Sequence, residues 1–186
     1  EQEAELGKQY AQQLEEELTF ITDPAVQQWV SEMGQKMVRN SPETKQDFTF
    51  KVVDNNGINA FAIPGGYCYI MGGLILAADD EAEVAAVVAH EVNHVTTRHG
   101  MRSLQRQVGF DLLSSALTQE SGQVVKVIQQ AGGLLAMRGF SRYDERQADR
   151  LGVEAMYKAG YDPREAVDFF QSLQEKEMST HPGGQQ

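Results

Sequence analysis

One segment restricts the folds open to this chain more than any other: the apolar run Val84-Ala85-Ala86-Val87-Val88-Ala89, continued by His90-Glu91-Val92-Asn93-His94-Val95. Asp80 and Glu83 precede it at the spacing of a capping box, so a long helix is predicted over about 81–99, stopping near Gly100. Residues four apart on a helix differ by about 40° around the axis and about 6 Å along it, which turns His90 and His94 to one face. Two imidazoles so placed can grip one metal ion. Glu91 is rotated about 100° from His90, too far round for an obvious third ligand but within reach of a water on that metal, the place of a general base. Two surface histidines with an incidental glutamate would suit a polar helix, whereas this one is strongly apolar.

A catalytic zinc centre takes three protein ligands and leaves the fourth position to water or substrate, so a third ligand is required. His99 is the nearest candidate, but an extended three-histidine pattern would need glycine at 97 and histidine at 100, where the chain has Thr97 and Gly100. His99 is expected to be a capping or structural residue. On a separate predicted helix, Glu145 and Asp149 stand four apart on one face. One of these carboxylates could bind zinc while the other orients a ligand histidine. Taken alone the pair is weak, because Arg146 and Arg150 could simply pair with it on a solvated surface.

Around this segment the hydrophobic period changes several times. Leu6, Tyr10, Leu14 and Leu18 form one stripe of a surface helix, and Asp23-Pro24 reads as a cap and first turn for a second helix over about 24–39. Phe48, Phe50 and Val52 alternate as a strand, followed by the turn residues Asp54-Asn55-Asn56-Gly57. Ile58 to Ile63 and Tyr67 to Met71 flank Pro64-Gly65-Gly66, predicting strands joined at a glycine-rich connection and hence a small antiparallel sheet. Residues 101–138 are helical in pattern, with Ser121-Gly122 separating Leu104, Val108, Leu112 and Leu113 from Val124, Val127, Ile128, Leu134 and Leu135. Such periodic stripes are expected to pack inward rather than form a lid or a membrane-facing patch. Ser141 with Asp144 opens a further helix that Gly160 ends, and Asp162-Pro163 starts the last one, reaching about Met178.

The 186 residues, 41% of them hydrophobic, suit one continuous core, so residues 1–178 are expected to form a single domain and 179–186 a loose tail. Sixteen Lys and Arg against twenty-seven Asp and Glu give a formal charge of −11, which repels phosphate backbones and excludes nucleic acid as an expected partner. The single cysteine, Cys68, cannot make an internal disulfide and reads as a buried strand residue. No uncharged apolar stretch approaches the roughly 18 residues needed to cross a bilayer. The sequence opens at Glu1 without a methionine, which fits a form whose export signal has been removed.

Four stretches together resemble the M48 peptidase family, and within it the soluble periplasmic bacterial members. They are Asn59-Ala60-Phe61-Ala62 with Pro64-Gly65-Gly66; Ala89 to Val95 with Arg98-His99; Glu145-Arg146-Gln147-Ala148-Asp149; and Ser179-Thr180-His181-Pro182. The resemblance implies a predominantly helical α+β, zincin-like fold with the small sheet beside the active-site helix. It implies one zinc ion on His90, His94 and Glu145, Glu91 as the catalytic residue, and Asp149 supporting the site. It further implies a polypeptide substrate, drawn from unfolded or misassembled envelope proteins, whose backbone lies along Asn59, Ala60, Phe61, Gly65 and Gly66. For Asn59 and the glycines, turn and bulge geometry is an equally good explanation. His181 is either a fourth ligand over the zinc, an oxyanion donor, or an exposed tail residue. Gly183-Gly184-Gln185-Gln186 departs from the longer helical continuation of the family and leaves room for a further C-terminal domain.

Overall fold

The structure, a computed structural model, describes residues 2–118 and 140–180. Helices α1 (Gln2–Glu15) and α2 (Pro24–Arg39) lead into strands β1 (Thr49–Val53), β2 (Ala60–Ile63) and β3 (Tyr67–Met71). Helices α3 (Gly72–Ala77), α4 (Glu81–Thr96), α5 (His99–Val108), α6 (Phe110–Leu117), α7 (Arg142–Lys158) and α8 (Arg164–Thr180) follow. The result is the expected α+β, mainly helical architecture. Helix α2 begins where Asp23 Oδ1 accepts from the Ala25 and Val26 amides at 2.8 and 3.3 Å, with Pro24 at the first position, where its missing N–H is harmless.

The sheet is mixed rather than antiparallel. Its order is β1-β3-β2: β2 runs antiparallel to β3, but β1 runs parallel to it, with Phe50 opposite Cys68 and Val52 opposite Ile70. Asp54-Asn55-Asn56-Gly57 is therefore no hairpin turn. Asn55 Oδ1 accepts from the Gly57 amide at 2.7 Å and the Asn55 carbonyl accepts from the Gly73 amide at 2.9 Å, which ties the loop to the start of α3. The chain then passes to the far edge, and β3 returns into the gap. Gly72-Gly73 begins the short α3, and the close approach of the loop requires glycine at 73, where a Cβ would fall 2.2 Å from the Asn56 carbonyl oxygen.

Both sheet faces are covered, as the two-residue side-chain period demands. Phe50, Val52, Ala62, Cys68 and Ile70 pack with Val30, Met33 and Met37 of α2 and Val84, Val88 and Val92 of α4. Phe61, Ile63 and Tyr69 face the other way, onto Leu6, Tyr10 and Leu14 of α1 and onto Met101, Leu104 and Leu113. Each fully buried aliphatic or aromatic side chain contributes roughly 1.5–3 kcal/mol, so these stripes are core and not a lid. The second half of the 101–138 pattern, including Ser121-Gly122 and Val124 to Leu135, lies outside the described residues, as does His181.

Helix α4 ends earlier than its apolar pattern suggests. The Thr97 hydroxyl donates to the Asn93 carbonyl, and Arg98 takes a left-handed conformation at φ 58°, the only non-glycine residue with positive φ among those described. Helix α5 starts at His99, directly after that left-handed residue. At the other end the capping box is displaced by one residue: Asp80 Oδ1 accepts from the Glu83 amide at 3.1 Å, but Glu83 reaches back to the amide of Asp79, at 2.6 Å.

Candidate metal centre

Helix α7 lies along α4, and its N-terminal turn is fixed by the capping box read from the sequence: Ser141 Oγ accepts from the Asp144 amide at 3.1 Å, and Asp144 Oδ2 from the Ser141 amide at 3.3 Å. This start sets the phase of α7 and points Glu145 at α4. Nε2 of His90 and Nε2 of His94 stand 2.9 Å apart, and Glu145 places Oε2 3.2 Å from the first and Oε1 3.4 Å from the second. A tetrahedral ion with bonds of about 2.0–2.1 Å needs donor atoms about 3.3–3.4 Å apart, so this triangle could hold a metal with minor adjustment.

The outward atoms are also engaged. Asp149, one turn after Glu145, places Oδ1 2.8 Å from His90 Nδ1, an ion-pair contact not aligned as a hydrogen bond. His94 Nδ1 meets His99 Nδ1 at 2.8 Å. Two imidazoles and a carboxylate thus converge through the atoms a metal would take, while the far nitrogens are held from behind.

The electrostatics follow from this packing. Burial opposes a charge on His90, but the contacts with Asp149 and Glu145 outweigh it and raise its pKa to about 10. Those same two histidines hold the Glu145 carboxyl well below the usual range. Burial pushes His94 and His99 down. Glu91 is half-buried on α4, and its charge is felt at His90 and, after the larger effect of burial, in the raised pKa of the Cys68 thiol behind it.

Three neighbours of the centre were not singled out in the sequence. Phe140 stacks on His94 with ring centroids 3.9 Å apart and 17° between planes. Gln147 Oε1 lies 2.9 Å from His99 Nε2. Arg102 donates to Asp144 Oδ1 at 3.0 Å, an oxygen that is itself 3.5 Å from His99 Nε2. Phe140 directly precedes the capping serine, and Gln147 lies inside the Glu145–Asp149 stretch, so position was their only signal.

The expected substrate segment is divided. Ala60 and Phe61 are buried in β2, Phe61 stacking on Tyr69 at 5.0 Å, and Asn59 Oδ1 accepts from the Ala60 amide at 2.9 Å. Gly65 and Gly66 make the turn with φ 92° and 85°; a Cβ on Gly66 would meet the Asp47 carbonyl oxygen at 2.0 Å. Ala62, Ile63 and Pro64, between these two groups, line a small recess with His94 and Phe140. On the other side of the centre, His90, Glu145 and Asp149 share a cavity of about 490 Å³ with Met156, Val167 and Phe170.

Two histidines a turn apart, a carboxylate from a second helix and a glutamate next to the first histidine form the ligand pattern of a metallopeptidase. The chain belongs to peptidase family M48, whose sequence pattern matches residues 24–186. It is similar to the beta-barrel assembly-enhancing protease of Escherichia coli, with 32% identity over 183 residues, covering 92% of this chain and 37% of that protein. The protein of the same name from Yersinia pestis is 32% identical over 93% of this chain and 38% of its own length. Likeness extends to the mitochondrial metalloendopeptidase OMA1 of Arabidopsis thaliana, 32% identical over 72% of this chain and 28% of that protein. The chain thus spans little more than a third of the length of its bacterial relatives. Among the described residues, no helix is long and apolar enough to cross a membrane.

Proposed function

We propose that this chain is the peptidase domain of a zinc-dependent endopeptidase acting on unfolded or misassembled proteins of a bacterial cell envelope, in the periplasm. The convergence of His90 Nε2, His94 Nε2 and the Glu145 carboxylate within 2.9–3.4 Å carries the reading. These three residues would hold the ion, and the imidazole–carboxylate set suits zinc. Bound there, zinc would supply Lewis acidity toward the scissile carbonyl and the attacking water. Glu91 takes a proton from the attacking water and delivers it to the leaving amine, and Asp149 holds His90 in place.

The edge position of β2 supports binding of an extended polypeptide. Pairing of Asn59 with Met71 turns the Ala62 backbone N–H and C=O and the Ala60 carbonyl outward, where a substrate strand can add to the sheet, while the Ala60 amide is taken by Asn59 Oδ1. Ala62 to Pro64, rather than the turn glycines, lie beside His94 on that route. The names of the bacterial relatives support an envelope substrate, and their length supports a further domain in the full-length protein.

The deciding experiment is metal analysis of the purified chain, followed by cleavage of an unfolded protein by the native sequence and by Glu91→Gln. One zinc per chain and loss of cleavage in the variant are expected. Equal cleavage by both would overturn the mechanism, and iron in place of zinc would redirect it to oxygen chemistry.

A further inference from the structure

We propose that His99 is a positioning residue of the metal centre: it accepts the Nδ1 proton of His94 and thereby fixes the tautomer and ring angle with which His94 presents Nε2 to the metal. The inference rests on the metal reading above. His94 is 3% exposed and His99 fully buried, so solvent does not compete for the 2.8 Å contact between their Nδ1 atoms. A metal on His94 Nε2 needs that nitrogen's lone pair, which leaves the single proton of the neutral ring on Nδ1. The contact then requires His99 Nδ1 to be an acceptor, and the His99 proton to sit on Nε2.

The surroundings of His99 Nε2 agree with that assignment. Gln147 Oε1 lies 2.9 Å away, and the Asp144 carboxylate, which accepts a hydrogen bond from Arg102, lies 3.5 Å away. The chain of donors runs His94 to His99 to Gln147. Turning the Gln147 amide over would reverse every link: its N–H would donate to His99 Nε2, the His99 proton would move to Nδ1, and the His94 proton would move to Nε2, where it displaces the metal. The side-chain amide therefore sets the proton register of the ligand, two residues after Glu145 on the same helix.

The test combines nitrogen NMR of the native chain with zinc affinities measured by chelator competition. With zinc bound, the His99 ring is expected as the Nε2–H tautomer and His94 as Nδ1–H. His99→Leu, which removes the acceptor, should weaken zinc binding by about 10- to 100-fold, and His99→Asn, whose Oδ1 replaces Nδ1, should restore most of it. An Nδ1–H or doubly protonated His99 in the zinc form overturns the proposal, as do equal affinities of His99→Leu and His99→Asn. The NMR result decides alone if His99→Leu does not fold. Should the native chain fail to bind zinc, both this inference and the proposed function fall; zinc binding lost in His90→Ala but unchanged in His99→Leu removes only this one.

Discussion

Gly152 of α7 rests on the backbone of His90: a Cβ added to it would stand 3.2 Å from the His90 nitrogen and 3.4 Å from the Ala89 carbonyl carbon. Gly152 follows Glu145 by seven residues, close to two helical turns, so both lie on the face of α7 turned to α4. The absent side chain sets how near the two helices come, and with that the reach of Glu145 to the histidines. Gly152→Val is expected to force them apart, destabilising the fold by about 1–3 kcal/mol and lowering zinc affinity at least tenfold. Gly152→Ala needs a shift of only a few tenths of an ångström and gains helix propensity, so it should be close to neutral. Chelator competition and thermal melting of both variants check this.

Asp149→Asn should keep the fold and weaken the metal. The carboxylate stands 2.8 Å from His90 Nδ1, and its loss removes the charge that supports that ligand. A 10- to 100-fold weaker zinc affinity is the expected size of such a change, roughly 1.4–2.7 kcal/mol. Arg150→Ala, which breaks only the exposed pair with Glu154, serves as control and should leave affinity unaltered.

Chelation should lower the melting temperature of the native chain, because the ligand set joins α4 to α7 and binding to the folded form alone adds stability. At free zinc about 100-fold above the dissociation constant the gain is about 2.7 kcal/mol. Glu145→Ala should melt at nearly the same temperature with and without chelator. A calorimetric comparison of the two chains, each in both states, measures it.

At alkaline pH the weak point is expected at Tyr10, 2% exposed between α1 and the sheet, whose pKa burial raises from 10.0 to about 12. The folded state disfavours the phenolate, so the stability from this group is complete below pH 10 and is lost as pH rises toward 12. The loss is on the order of 2 kcal/mol. Tyr10→Phe should flatten the dependence over that window. Denaturant midpoints of both chains from pH 9 to pH 12 provide the comparison.

Much of this molecule could be read from its residues, and the failures have a common cause. Asp23-Pro24 and Ser141 with Asp144 announced their helices because caps are local chemistry, and Tyr67 to Met71 was delimited by glycines on both sides. Strand order was not local. Alternation in β1 and β2 gives which residues face together but not which strand lies between them, and β3 took the centre with β1 parallel to it. The end of α4 was missed for a related reason: the apolar period runs on past Thr96, while the Thr97 hydroxyl competes for the Asn93 carbonyl and stops the helix.

At the candidate centre, helical spacing turns His90 and His94 to one side and Glu145 and Asp149 to another, while the meeting of the two pairs, seen in the cluster of His90, His94 and Glu145, was implied only by the family resemblance. The contact of His99 with His94 was not legible, since it depends on the break between two helices. Phe140 and Gln147 were likewise invisible, being defined by where α7 docks rather than by any pattern of their own.

Arg98 extends the centre beyond the family's common segment. A straight helix would carry residue 99 about 140° round from His94 and about 7.5 Å along the axis, so the rings could not touch. The left-handed turn at Arg98, disfavoured by roughly 1–2 kcal/mol, is what folds His99 back. Its guanidinium is in turn held by Glu3, at 2.8 and 2.9 Å, on a helix that precedes the matched residues 24–186. The first helix thus serves as an outside brace for a bend that the peptidase segment would otherwise have to hold by itself, and a chain cut back to that segment would lose a restraint on the histidine that backs His94.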